Sequence, residues 1–225
     1  SRERRDNQLR AQALAHTDPL TGLANHRVLL ERLQLLLRRA RRDPAAGGVL
    51  RVHVANYSTI RNEYGREAAE AALVRAAECV ATEAAEADLV ARERGGDLVL
   101  VLHGRVERAQ LSEAGRNIIA RGLKFSGRLP PGVTLSLRVV GIHAPLPAGT
   151  AATLLATLAQ ALLRTVRKKR GSQAALWAAP HDPSGNPVTW AKSEERAGAL
   201  SRWSAALACR SDRGAAADRG RAWGG

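Results

Sequence analysis

The stretch Ala87-Asp88-Leu89-Val90-Ala91-Arg92-Glu93-Arg94-Gly95-Gly96-Asp97-Leu98-Val99-Leu100-Val101-Leu102 decides the fold. Two apolar runs, at 89–91 and 98–102, flank a polar segment whose adjacent glycines supply the positive-φ positions of a tight turn, so the spacing predicts a β-hairpin. Immediately upstream, an Ala-rich segment predicts a helix over 67–86, and the β-branched alternation of 49–55 predicts a strand before it. Residues 43–48, DPAAGG, read as the loop leading into that strand. Further back, Leu29, Leu30, Leu33, Leu36 and Leu37 recur at helical spacing, with Arg38, Arg39, Arg41 and Arg42 collected where the macrodipole favours cations. In front of this helix, Asp18 is expected as an N-cap with Pro19 at the first helical position, and Gly22 as the residue that breaks the turn. Residues 1–16 carry no Gly or Pro and predict a connector helix.

Downstream of the hairpin the pattern predicts a helix over 106–123, a strand over 133–142, a helix over 151–167 and a short strand at 174–177. Helices interleaved with a hairpin and single strands argue for an α/β sandwich, one sheet with helices packed on it. After Trp177 the composition shifts: 181–187 reads as a linker, 193–209 as one further helix, and 210–225 as a loose Gly/Ala/Arg/Asp tail. The organisation expected is therefore a connector at 1–16, a domain at 17–178 and a linker, helix and tail at 179–225. No internal repeat is visible.

Composition narrows the function classes. The 225 residues include 35 Lys and Arg against 21 Asp and Glu, a formal net charge of +14, and Lys124, Lys168, Lys169 and Lys192 are the only lysines. Such a balance can point to nucleic acid, but the arginines are spread over every segment and aromatics make up 3% of the chain. The stacking platforms of single-strand binders are therefore nearly missing, and nucleic-acid binding is not expected. No stretch approaches the roughly 20 consecutive apolar residues of a membrane span, and no apolar signal segment opens the chain, so a cytoplasmic location is expected. Cys79 and Cys209 lack the spaced companions of a zinc site or disulfide framework. Methionine is absent, at position 1 as elsewhere, and a fragment of a longer protein is the expectation.

Four stretches, DPLTGLAN at 18–25, ANYSTIRNEYGREAAEAAL at 55–73, the hairpin at 87–102, and VTLSLRVVG at 133–141 leading into ALLRTVRKKRG at 161–171, together resemble the GGDEF (diguanylate cyclase) family over 17–177. The resemblance implies an α+β sandwich of the nucleotidyl cyclase kind, with a central, mostly antiparallel sheet flanked by helices. A working member condenses two GTP molecules, the 3′-hydroxyl of one attacking the α-phosphate of the other. That chemistry gathers negative charge and needs divalent ions held by carboxylates.

Set against the family pattern D-x-D-x-F-K-x-x-N-D-x-Y-G-H, the segment starting at His53 departs at the positions that carry the chemistry. His53 stands at the metal-binding Asp, Ala55 at the second Asp, Ser58 at the Lys and Arg61 at the guanine-reading Asn, while Tyr64 and Gly65 remain. Glu70 replaces a guanine-contacting Asp. The signature loop becomes Arg94-Gly95-Gly96-Asp97-Leu98 when aligned without a gap, which leaves Gly96 at the metal-binding acid. Sliding the glycines into register returns Asp97 to that position and puts Leu98 at the next acid. The ungapped alignment is preferred because Leu98 then falls into the following strand. At most one metal carboxylate survives, and a lone carboxylate beside an imidazole suits magnesium poorly.

The inhibitory R-x-x-D site for cyclic di-GMP reads Ala85-Glu86-Ala87-Asp88, without its arginine. Arg138 stands where the family has a Gly, and Arg167 or Lys168 at the late phosphate contact. The resemblance thus implies a degenerate, catalytically inactive domain with no bound metal or cofactor. It would serve as a regulator or scaffold in cyclic di-GMP signalling. Its partners would be proteins of the EAL, HD-GYP or PilZ type, or a covalently linked neighbour, and a homodimer is a further candidate. The stretch 194–207 resembles the helix that joins such domains to an EAL phosphodiesterase-like domain.

Two other readings stay open: a GTP sensor using Glu70, Arg92, Asp97 and Lys168, and a residual cyclase. Each residue also has a plainer explanation. His53 can be a satisfied strand histidine, Asp97 a turn former, Arg92 and Glu70 members of surface ion pairs. Arg164, Arg167, Lys168, Lys169 and Arg170 can be the dipole complement of a helix end, and Cys79 a small buried residue.

Overall fold

The computed structural model describes residues 16–124, 129–168, 173–177 and 188–189, with only the backbone for 166–168 and for the last two stretches. The chain divides into two units, Ser1–Thr189 and Trp190–Gly225, and the described residues all belong to the first. The connector expected over 1–16, apart from His16, lies outside the described residues. So do the linker, helix and tail expected over 179–225, apart from Val188 and Thr189.

Six strands form one sheet: β1 (Ala46–Val54), β2 (Leu89–Arg92), β3 (Leu98–Arg105), β4 (Leu137–His143), β5 (Gln173–Trp177) and β6 (Val188–Thr189). Their spatial order is β2-β3-β1-β4-β5-β6, antiparallel at every pair except β4 with β5. Helices α1 (His26–Ala40) and α4 (Ala151–Lys168) cover one face, and α2 (Tyr57–Ala81) and α3 (Arg108–Gly122) the other. This is the mostly antiparallel α/β sandwich that the sequence implies.

Strand alternation divides the core in two. Leu50, Val52 and Val54 of β1, with Leu98 and Leu100 of β3 and Leu137 and Val139 of β4, pack against Leu73, Ala76 and Val80 of α2 and Ile118 of α3. The intervening Val49, Val99, Val101, Val140 and Ile142 face Leu29, Leu33 and Leu36 of α1 and Leu154 and Leu158 of α4. The central strands thus carry apolar side chains toward both helical layers, as a sheet buried between them demands, with Arg51 and His53 of β1 and Arg138 of β4 as the polar exceptions.

Several element boundaries differ from expectation. The segment before α1 is a tight turn, not a helix start: Asp18 Oδ2 accepts from the Thr21 backbone N–H (2.9 Å) and hydroxyl (2.8 Å), and Gly22, at φ 70°, closes the turn. Asn25 is the N-cap of α1, its side-chain oxygen accepting from Arg27 and Val28. Strand β1 begins three residues early and takes in the Gly47-Gly48 pair, and β4 begins at Leu137 rather than 133. Helix α2 starts ten residues before the Ala-rich run and ends at Ala81. A kink at Gly65 (φ 89°) separates its polar first turns from the Ala-rich part, a backbone angle that only glycine adopts without strain.

Candidate functional site

Register alone brings the site residues into one row. Strands β1 and β3 pair Val52 with Leu98, so the next step places His53 opposite Asp97. Strands β2 and β3 pair Arg92 with Leu98, and the backbone N–H of Glu93 donates to the Asp97 carbonyl (2.8 Å) across the turn. On the other side, His53 pairs with Arg138 of β4. Glu93, Asp97, His53 and Arg138 therefore stand side by side across four strands. By the period of two, Arg51 lies on the same face, one step further along β1.

The side chains of Arg51, Asp97, His53 and Glu93 are wired together where the face meets α4. Arg51 donates through Nε to Asp97 Oδ2 (2.7 Å) and through Nη1 to the Leu155 carbonyl (3.1 Å), and its Nη2 is ion-paired with Glu93 Oε2 at 2.8 Å. The other Asp97 oxygen, Oδ1, accepts from His53 Nδ1 at 2.7 Å. Arg51 and Asp97 are each 7% exposed and Arg138 8%, so these charges sit in the protein interior and not on its rim. The Arg51 guanidinium is paired with both carboxylates, Asp97 and Glu93, and pairing is the condition under which charges survive burial.

The two acids respond in opposite directions. Burial pushes the Asp97 carboxyl up, but the His53 hydrogen bond and the Arg51 guanidinium outweigh it and hold the group below its usual range. Glu93 ends above its usual range: burial raises it, Arg51 offsets only part of that, and the Asp97 charge adds to it.

The remaining positions singled out by sequence lie elsewhere in the fold. Arg92, at the end of β2, donates through Nη1 to both carboxylate oxygens of Asp18 (3.0 and 3.1 Å). Asp18 thereby fastens its own turn to the hairpin, and the backbone follows: Ala24 N–H donates to the Val90 carbonyl and Arg92 N–H to the Ala24 carbonyl. Burial raises Asp18, and the Thr21 and Arg92 contacts more than reverse it, leaving the carboxyl below its ordinary value. Glu70 is paired with Arg66 one helical turn away (2.6 Å) on α2. Asp88 accepts from the Ala85 and His103 backbone N–H groups, both at 2.9 Å, and so ties the end of the α2–β2 connection to β3. Gly96, at φ 90°, shapes the turn, with Arg94 and Gly95 exposed beside it. Lys168 is the last residue of α4, and its side chain lies outside the described part.

Sequence reasoning passed over Arg51 and gave Glu93 only a place in the turn. The signal for Arg51 was present: a lone charge inside Val49-Leu50-Arg51-Val52, in a strand otherwise apolar on both faces. What it bonds is 46 residues away, and only strand register reveals that.

The divalent ion that the family resemblance implies does not fit these residues. Among the described residues no three His, Cys, Asp or Glu side chains converge as ligands. Both Asp97 oxygens are taken, by Arg51 and His53, and Glu93 is held by Arg51. A guanidinium between the acids repels a second cation, and an imidazole is a poor ligand for a hard ion.

Comparison with known proteins agrees with this architecture. The chain is 32% identical over 161 residues to the diguanylate cyclase TpbB of Pseudomonas aeruginosa, a match covering 71% of this chain and 37% of that protein. It thus spans little more than a third of that relative's length. The solved structure of a TpbB variant comprising only the GGDEF domain superposes with a TM-score of 0.64 at 31% identity, over 72% of this chain and 94% of that one. The coiled coil and GGDEF domain of DgcB from Caulobacter crescentus, in complex with c-di-GMP, shares the fold at a TM-score of 0.66 and 16% identity, over 79% of this chain and 93% of that one. Residues 15–173 match the family model described as "Diguanylate cyclase, GGDEF domain", and with that match the chain belongs to the GGDEF family.

Proposed function

We propose that this GGDEF domain is a non-catalytic regulatory module of cyclic di-GMP signalling. It acts through contacts with other proteins of that system, of the EAL, HD-GYP or PilZ type, or on a neighbouring domain of its own chain. One observation carries the reading: the residues at the two metal positions meet, but as an imidazole and a carboxylate whose oxygens are already bonded within the chain. The meeting of Asp97 with position 53 also supports the alignment in which the two glycines are slid into register, rather than the ungapped one.

The chemistry of two GTP molecules calls for a Lewis acid at the α-phosphate and attacking hydroxyl, and Asp97 and Glu93, held by Arg51 and His53, are poorly placed to hold one. Two residues proposed for a nucleotide contact, Arg92 and Glu70, are bonded to Asp18 and Arg66. This favours the contact-based reading over a GTP sensor. Incubation with GTP and Mg²⁺ or Mn²⁺, followed by chromatography, tests the proposal: no cyclic di-GMP is expected, and product that disappears in Asp97→Asn would overturn it. A second reading, residual cyclase activity, draws its support from the name of the TpbB relative and would be established by that second result.

A further inference from the structure

We infer that the Arg51 guanidinium is the resident cation of this site, occupying the role that a divalent ion has in catalytic members, so that the signature loop is locked in place without metal. This rests on the non-catalytic reading and deepens it. That reading concerns what the site no longer does, and this one concerns what the replacement charge does instead.

The geometry supports it at each nitrogen of the fork. Nε holds Asp97, Nη2 holds Glu93 at the far side of the five-residue turn, and Nη1 reaches the Leu155 carbonyl of α4. Arg51 therefore joins the two ends of the loop to each other and to the helix layer above them. A metal ion coordinated by loop carboxylates would make the same kind of cross-link. The guanidinium is planar, permanently charged and less strongly hydrated than an ammonium, which suits it to a buried role of this sort. His53 completes the arrangement by bonding the Asp97 oxygen that Arg51 leaves open. An incoming Mn²⁺ or Mg²⁺ would have to displace both donors from Asp97 and settle beside a fixed positive charge.

Replacing the guanidinium by a neutral side chain removes the cation between Asp97 and Glu93. It leaves these two carboxylates, with water and without need of the imidazole, as oxygen ligands for Mn²⁺, which should convert the site from metal-indifferent to metal-responsive. The test is thermal unfolding of the chain in EDTA and in Mn²⁺, for the wild type, Arg51→Met and Arg51→Gln. The glutamine variant keeps hydrogen-bonding capacity in case the methionine variant does not fold. The wild-type midpoint should be the same in both buffers. Both variants should melt lower in EDTA, and Mn²⁺ at about 100 times its Kd should raise their midpoints by roughly 5–10 °C. Adding Asp97→Asn to Arg51→Gln should abolish that rise.

Two results would overturn the inference: a wild-type midpoint that climbs with Mn²⁺ as far as the variants' do, or a folded variant that ignores Mn²⁺. A GTP turnover assay on the same wild-type sample separates the two claims. Metal stabilisation without cyclic di-GMP defeats the role given to Arg51 alone, whereas cyclic di-GMP formation defeats the non-catalytic reading beneath it.

Discussion

Asp97 and Glu93 share one guanidinium yet shift in opposite directions, and that asymmetry can be measured at the scale of single residues. Asp97 gains more from its partners than burial takes away, so Asp97→Asn leaves Arg51 under-compensated in the interior. A loss of about 3–5 kcal/mol is expected, the range for breaking a buried pair. Glu93 gains less than burial costs it, and Glu93→Gln should stay within about 1 kcal/mol of the wild type in urea unfolding. Equal losses in the two variants would contradict the assignment. The same asymmetry governs acid stability. The folded Asp97 carboxyl titrates below its ordinary value of 3.8, so the unfolded chain takes up the proton first as pH falls. Its contribution is therefore complete above that value and is lost as pH drops through the lower, folded one. Glu93 works the other way, its folded form binding the proton first, so its share declines as pH rises from 4.5 through its raised value. Between about pH 4 and pH 2 the wild-type midpoint should fall more steeply than that of Asp97→Asn; parallel curves would show that Asp97 is not the group responsible.

Among the elements, the turn at 18–24 is held by its own carboxylate and by Arg92, so its stability belongs to a local unit. Asp18→Ala removes two bonds to Thr21 and the ion pair at once and should cost about 1–3 kcal/mol. Amide exchange should quicken at Ala24 and Arg92, whose N–H groups join the turn to β2, and stay slow at Val99 and Val101 in β3. Uniform acceleration through the sheet would refute a local role. Helices α1 and α4 are legible in sequence because their leucines recur at helical spacing, and the hairpin is legible because Gly95-Gly96 interrupts two apolar runs. The first turns of α2 are not, since 57–66 is polar and contains a glycine whose positive φ a helix would not ordinarily admit. Asp18 misleads for a similar reason: an acid before proline reads equally well as a helix cap or as the anchor of a tight turn, and the Thr21 hydroxyl that settles it acts through space. In the site, His53 is legible as a substituted position of a family pattern, and Asp97 as an acid of the signature loop whose register two alignments place differently. The way they are satisfied is not, because Arg51 reaches Asp97 through the pairing of strands far apart in sequence.

For the molecule as a whole, the fold of the family is present, and His53, Asp97, Arg51 and Glu93 are joined in one ion network at the signature loop. Among the described residues no helix is long and apolar enough to cross a membrane. On the proposed reading, the surfaces of the sheet and its two helical layers, rather than a reacting centre, are what the domain presents to partners. The most direct test is a calorimetric titration of GTP with Mn²⁺ into the chain, with the cell contents analysed afterwards. The account predicts that heat returns to baseline after every injection and that no cyclic di-GMP accumulates. Heat that persists between injections, with cyclic di-GMP in the cell, would contradict it.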